Sequence, residues 1–313
     1  MLAAERPAVN RPVLLRERIE HFLFLVILRG LGRLPRRLAL TLGMWLTAFL
    51  YLLPLKLRRY GLKNLAIAFP EQSETEHSAI LKQSYRNLGR LLGEFTQFHK
   101  LTPENISKFV RYDGLEHYLA AVEAGRGVIF LTGHIGAWEL SAYAHALFGH
   151  PLNVLVRPID NELVNLAVER YRAASGNRIF GKRDGLKAFI SALKKGETVG
   201  ILADVNLQRH QGIFCDFFGL PACSTPLVAA LALRTGAAVV PGYLVWNEAE
   251  GKHILTFEPP VEPPLPGTDE ASVAAATAAY QKALESIIRR HPDQWLWIHR
   301  RWKTRPEGEP NIY

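Results

Sequence analysis

The stretch Gly127-Val128-Ile129-Phe130-Leu131-Thr132-Gly133-His134-Ile135-Gly136-Ala137-Trp138-Glu139-Leu140 decides how the chain is read. Val128 to Leu131 is an apolar run of extended-favouring residues, the pattern of a buried strand. From Trp138 to Phe148 the sequence reads as a helix. Between the two, Gly133 and Gly136 let the chain turn sharply and let a substrate approach the backbone. His134 is therefore expected in the loop after a strand, with Glu139 in the first turn of the helix. In open α/β sheets, ligands bind at the carboxyl ends of strands. A histidine with a glutamate nearby is often only a surface or structural pair. The order strand, glycine turn, His, four spacers, Glu, helix points instead to a catalytic dyad. A carboxylate that holds a neutral imidazole turns it into a directed general base.

Working outward, the pattern alternates. Strands are expected at Val110–Tyr112, Gly127–Thr132, Asn153–Val156, Thr198–Ala203, Ala238–Val245 and His253–Phe257. Helices are expected at Leu115–Glu123, Trp138–Phe148, Glu162–Ala174, Asp184–Lys195, Thr225–Thr235 and Glu270–Arg290. This alternation implies an α/β fold with a mostly parallel sheet flanked by helices. Before it, Tyr60–Pro70 starts helical, and Ser73 or Thr75 caps a helix running from Glu74 to about His99. Pro259, Pro260, Pro263, Pro264 and Pro266 stiffen the loop before the last long helix.

The charge is uneven. The 313 residues carry a net charge of +9, and the first 70, with twelve Lys and Arg against three Glu, already account for all of it. The rest of the chain is near neutral, which argues against a nucleic-acid-binding surface and for a basic N-terminal arm. That arm is also apolar, at Ile19–Leu34 and in the uncharged run Leu38–Pro54. Seventeen residues is about the lower limit for a membrane span. Arg36 and Arg37 before it and Lys56, Arg58 and Arg59 after it set no orientation. A shallow helix pair held on anionic lipid fits equally well, and a buried amphipathic pair is the alternative. The division expected is a membrane-associating helical arm over residues 1–59 and a catalytic domain over 60–313.

Two cysteines, Cys215 and Cys223, make no disulfide framework and are read as unpaired thiols. No HExxH or CxxC supports a metal, no cofactor is expected, and no GxSxG elbow supports a serine hydrolase. Other polar residues fall where the topology gathers them near His134: Arg157 at a strand end, Arg170 and Arg172 on the next helix, and Asp204 after an apolar strand. An arginine there can hold a phosphate or stabilise an oxyanion, or simply be solvated. Phe214, Phe217 and Phe218, between Gly212 and Gly219, either line an apolar slot for an acyl chain or pack a hairpin. A helix starting at Thr225 would offer N–H groups to a carbonyl oxygen. The terminal run Trp295-Leu-Trp-Ile-His-Arg-Arg-Trp-Lys303 interleaves aromatics with cations. Such a run can stack on nucleic acid, but beside an apolar arm it reads as a membrane-interface belt.

Gly133-His134-Ile-Gly-Ala-Trp-Glu139 resembles the His-x4-Asp/Glu motif of glycerolipid-type acyltransferases. Its Glu form is similar to the bacterial lipid A biosynthesis (lauroyl/myristoyl) acyltransferases. Asn64-Leu-Ala-Ile-Ala-Phe-Pro70-Glu71, Val156-Arg157-Pro158, Lys182-Arg183-Asp184-Gly185, Leu193-Lys-Lys-Gly-Glu197, Asp204, Gly212-x-Phe-x-x-Phe-Phe-Gly219 with Thr225, and Trp297-Ile-His299-Arg300-Arg301-Trp302-Lys303 extend the resemblance over nearly the whole chain. The resemblance implies an inner-membrane enzyme with its catalytic domain on the cytoplasmic face. It would move a fatty acyl group from acyl carrier protein to a hydroxyl of a lipid A precursor, with His134 as base and Glu139 as its partner. Arg170 or Arg172 and Asp204 match further polar positions. The segment Asp204-Val-Asn-Leu-Gln-Arg-His210 departs from the family pattern. That departure keeps open a lysophospholipid or another glycolipid or aminolipid as acceptor. A membrane-bound lipid carrier or scaffold without turnover is the non-enzymatic alternative.

Overall fold

The structure is a computed structural model that describes residues 13–53, 56–156 and 158–313. Four helices come first: α1 (Leu15–Arg33), α2 (Arg36–Leu52), α3 (Lys56–Ala68) and α4 (Glu74–Gln97). The chain then alternates through β1 (Val110–Asp113), α5 (Leu115–Glu123), β2 (Val128–Thr132), α6 (Trp138–Leu147), β3 (Asn153–Val156), α7 (Glu162–Ala173), β4 (Arg178–Gly181), α8 (Lys182–Lys194) and β5 (Thr198–Leu202). It ends with β6 (Ile213–Phe217), β7 (Leu220–Ser224), α9 (Leu227–Thr235), β8 (Ala238–Asn247), β9 (Lys252–Phe257) and α10 (Glu270–Arg290).

Seven strands form one sheet in the order β1-β9-β8-β2-β5-β3-β4, parallel throughout except between β8 and β9. Every residue of β2 is buried, as expected of a central strand covered by helices on both faces. The expected α/β architecture is therefore present. Its helix starts follow from the local chemistry. Ser73 and Glu76 form a reciprocal capping box at α4, and the Asp269 side chain accepts from Ser272 N–H at 2.9 Å at α10. Asn161 caps α7 and donates to the Glu17 carbonyl of α1 at 2.9 Å, so α7 is tied at its start to the first helix of the arm.

Two pieces of β-structure lie outside the expected set. β4 has only four residues, none fully buried, at the sheet edge, too short for a periodic signal. β6 and β7 form a separate antiparallel hairpin, not an open loop. Its turn residues Phe218 and Gly219 have φ of 58° and 77°, the positive angles of a tight hairpin turn. Phenylalanine is costly there. Its amide donates to Glu285 Oε2 at 2.8 Å and its ring packs on Trp295 and Trp297, which holds the conformation.

The arm packs on α4 by backbone contact. A Cβ on Gly43 would lie 2.2 Å from the Gly89 carbonyl oxygen, and one on Gly93 would lie 2.7 Å from Leu40 Cα. Ridges cannot keep the helices apart where there are no side chains. Beside this crossing, Arg36 of α2 forks onto the buried carboxylate of Glu94, which also accepts from His253 Nε2 at 2.8 Å. The opposite faces of α1 and α2 stay open and apolar, with Phe22, Val26, Trp45 and Phe49 each more than half exposed. A cleft between them, about 310 Å³, is lined by Val26, Ile27, Gly30, Leu31, Leu42 and Leu46. Among the described residues no single helix is long and apolar enough to cross a membrane. An uncovered apolar face of this extent marks a membrane or partner surface. With its flanking cations it has the character of a helix pair lying on lipid.

Candidate active site

Strand register assembles the site. β2 and β5 are parallel neighbours with Thr132 opposite Leu202. Two residues further on, both chains leave the sheet at its carboxyl edge, one at His134 and the other at Asp204. The His134 amide donates to Asp204 Oδ2 at 2.7 Å, and Nδ1 of its ring lies 2.8 Å from Oδ1. A third donor, Trp295 Nε1, reaches Oδ2 at 2.8 Å. Gly133 has no room for a side chain, because a Cβ there would lie 2.9 Å from the Asp204 carboxyl carbon.

The C-terminal segment holds the histidine loop from the other side. Leu296 N–H donates to the His134 carbonyl at 3.0 Å, and Gly136 N–H donates to the Gln294 carbonyl at 2.7 Å. Ala137 N–H donates to the Leu244 carbonyl at 2.9 Å. Gly136 has a φ of 56°, and a Cβ on it would lie 1.9 Å from that same carbonyl oxygen. Gly136→Ala is therefore expected to destabilise the fold by more than the about 1–3 kcal/mol of backbone strain alone. Chemical denaturation of the two proteins measures the difference.

This packing corrects the membrane-interface reading of the terminal tryptophans. Trp295, Trp297 and Trp302 are buried in the core, and Arg301 is buried with them. Trp295 Nε1, Trp297 Nε1 and both terminal nitrogens of Arg301 have internal partners, while Trp302 Nε1 and Arg301 Nε have none among the described residues. Trp297 Nε1 donates to the Pro292 carbonyl, and Arg301 donates to the Cys223 carbonyl, Ser224 Oγ and Gln281 Oε1. A cation and rings that satisfy one another inside the protein need no interface.

The electrostatics of the pair follow from its burial. Asp204 is buried, which disfavours its charge. The His134 ring and its hydrogen bond, the Trp295 N–H and the His134 amide more than compensate, and its carboxyl stays well below the usual carboxylate range. Burial likewise works against a charged His134, but the Asp204 carboxylate outweighs it and the imidazole's pKa is raised above its ordinary value. An ionised carboxylate can only accept, so in the neutral ring Nδ1 carries the hydrogen and Nε2 the lone pair. A quarter of the His134 side chain remains open to solvent, with the Trp138 ring edge-on at 5.1 Å. The other buried histidine–carboxylate pair, His253 with Glu94, is closed on both sides, at 1% exposure each. Of these two histidines, only His134 is reachable by a substrate.

The structure gives the expected partner, Glu139, a different neighbour. Glu139 is forked by Arg172, with Nε to Oε2 at 2.9 Å and Nη2 to Oε1 at 2.5 Å, while Nδ1 of His134 goes to Asp204. Glu139 lies in the first turn of α6 and points across to the last turn of α7, where Arg172 sits. It still acts on the imidazole through space, favouring its charged form, and Arg172 opposes it. Arg170, two residues away on α7, is exposed. Arg157 lies outside the described residues. Asp204 is the direct partner of His134 and accepts hydrogen bonds; as a carboxylate it has none to donate to an oxyanion. Thr225 lies two residues before α9, whose N-cap is Pro226, and its hydroxyl accepts from Leu227 N–H at 3.3 Å. Phe217 and Phe218 are packed among the tryptophans, and Phe214 on the same hairpin is half-buried. Cys215 and Cys223 are free, buried thiols. Trp295 as a donor to Asp204 is the component that the sequence pattern did not single out.

A family model described as bacterial lipid A biosynthesis acyltransferase matches residues 9–304. The chain is 32% identical over 252 residues to the lipid A biosynthesis palmitoleoyltransferase of Escherichia coli (strain K12), covering 80% of each chain. It is 31% identical over 254 residues to the lauroyltransferase of the same strain, again over 80% of each. To the myristoyltransferase of that strain it is 28% identical over 257 residues, 82% of this chain and 78% of the relative. A match over almost the full chain, joined to a histidine–carboxylate site at the carboxyl edge of an α/β sheet, places this protein in the bacterial lipid A biosynthesis acyltransferase family.

Proposed function

We propose that the protein transfers a fatty acyl group from acyl carrier protein to a hydroxyl of a lipid A precursor, at the cytoplasmic face of the inner membrane. One observation carries the reading: Nδ1 of His134 is engaged by the buried Asp204 carboxylate at 2.8 Å while a quarter of the side chain stays open to solvent, which leaves Nε2 as the nitrogen to take a proton. In the proposed reaction the acceptor hydroxyl oxygen attacks the thioester carbonyl carbon as Nε2 takes its proton. Charge collects on the former carbonyl oxygen. α6 starts four residues after the base with no side-chain cap, and its first-turn amides are available to receive that charge. Collapse of the tetrahedral intermediate breaks the carbon–sulfur bond, and the imidazolium returns its proton to the leaving thiolate. Asp204 holds the working tautomer and steadies the imidazolium. Glu139 and Arg172 form a mutually neutralising pair beside the base. The apolar arm keeps the enzyme where its amphiphilic acceptor resides.

The test uses purified full-length protein with an acylated carrier protein and a lipid A precursor, with product masses followed by mass spectrometry. Thioester consumed with acylation of the precursor is expected. Acylation of a lysophospholipid alone would replace the acceptor, and no consumption would overturn the reading. The pH dependence is a second arm. The base works only when neutral, so activity falls as pH drops through its pKa. Asp204 raises that pKa, so the acid limb of kcat/KM is expected above about 6.5. In Asp204→Asn the residual activity should show the limb moved down, because burial then acts without the opposing charge.

A further inference from the structure

We propose that Trp295 is a positioning residue for the acyl-transfer base: its indole N–H holds the Asp204 carboxylate in the one orientation that serves His134 at both its ring and its amide. This rests on the reading of His134 as the base. The carboxylate makes one bond to His134 through each oxygen, and Oδ2 is shared with Trp295 Nε1 at 2.8 Å. Turning the carboxylate about its Cβ–Cγ axis moves both oxygens and so strains all three bonds at once. The ring that supplies the third donor is itself immobile. Trp295 is 2% exposed, edge-on to Trp297 at 4.6 Å and stacked on Phe218. Its carbonyl accepts from Ser84 Oγ of α4 at 2.7 Å, and its backbone bridges to Ile135, next to the base. α4 and the histidine loop thus hold the backbone of Trp295, and the β6–β7 hairpin packs on its ring.

A buried indole N–H needs only some acceptor, and any carbonyl would do. Trp297, equally buried, takes the Pro292 carbonyl. Trp295 instead takes the carboxylate of the catalytic pair, so Trp297 is an internal control for the cost of losing an indole. The other charged and titratable groups acting on the pair make no hydrogen bond to the Trp295 indole. They are Glu139 and Arg172 towards His134, His299 towards both His134 and Asp204, and Arg301 towards Asp204.

A donor on Oδ2 spreads the carboxylate's charge. Without it the carboxylate holds the imidazolium more tightly, so the acid limb moves up in pH, opposite to the shift in Asp204→Asn. Trp295→Phe should lower kcat about tenfold, the scale of one hydrogen bond to a charged group, with KM for the acyl carrier protein within about twofold of wild type. Its acid limb should rise by several tenths of a pH unit, whereas Trp297→Phe should keep the wild-type limb. Titration of the His134 ring by ¹⁵N NMR reads the same shift without turnover. Where the smaller ring unfolds the chain, 3-benzothienylalanine placed at position 295 keeps the bicycle and removes only the N–H. An unmoved limb and an unmoved His134 titration in the position-295 variants would overturn the proposal, as would equal shifts in Trp297→Phe. If wild type turns over no thioester, it is the acyl-transfer reading that fails, and the ring titration alone then decides whether Trp295 positions the pair.

Discussion

His134→Ala is expected to lower the rate of acyl transfer about 10²–10⁴-fold, the contribution of a positioned general base. The loss should fall on kcat, because the ring meets the attacking hydroxyl in the transition state and contributes little to holding either substrate. The fold should survive. The His134 amide does not depend on the side chain and still donates to Asp204, and Trp295 still donates to the same oxygen. Asp204 does lose its ring donor, so a stability cost of about 1–3 kcal/mol is expected for a buried acceptor left short of a partner. Steady-state kinetics beside thermal unfolding of the same preparation separates the two effects. Full activity in a folded His134→Ala protein would remove the histidine from the chemistry.

The second large effect is on stability and lies well away from the site. Glu94→Ala should destabilise the protein by about 3–5 kcal/mol, the usual cost of removing one partner from a buried ionic group. Glu94 is buried, and burial disfavours its charge. The His253 hydrogen bond and the nearby Arg36 outweigh that penalty, and its pKa is lowered. Alanine leaves the Arg36 guanidinium stacked over Phe109 at 4.5 Å without its acceptor, and His253 with an unpaired Nε2 inside the core. Guanidinium unfolding in detergent reads the difference; a loss below about 1 kcal/mol would mean that water replaces the carboxylate. Deleting residues 1–56 removes Arg36 from the other side of the same group. It also exposes the glycine face of α4. Truncation is therefore expected to unfold part of the catalytic half as well as release it from membranes, which limited proteolysis would detect.

The contrast between Glu139 and Asp204 marks how far the sequence could be read. β2, β3, β5 and α6 are visible in the chain because each is a run or period of apolar residues, and the structure departs from the expected ends of these four by a residue at most. Which carboxylate meets Nδ1 is different information. Glu139 is five residues from His134, while Asp204 is seventy away. It arrives only because β5 pairs with β2 and Thr132 faces Leu202. No local pattern encodes a parallel register. The choice of Arg172 over Arg170 turns on helix phase relative to α6, which also needs the packed structure. The terminal tryptophans show the reverse problem. Aromatics interleaved with arginines have the composition of an interface, and only the partners of Nε1 and of the Arg301 guanidinium reveal a core.

The crossing of α2 and α4, where backbone meets backbone at Gly43 and Gly89, has a kinetic consequence. Helices in such close backbone contact can slide little without clashing, so the apolar side of the arm is tied through α4 to the segment that holds the histidine loop. Once the arm lies on the bilayer, the height and tilt of the mouth beside His134 above the leaflet are set by folding and need not be found again at each turnover. On the proposed reaction, the search for a lipid acceptor in the same leaflet then loses a dimension. What remains is lateral diffusion across the membrane plane, and the orientational part of the encounter entropy has been met in advance.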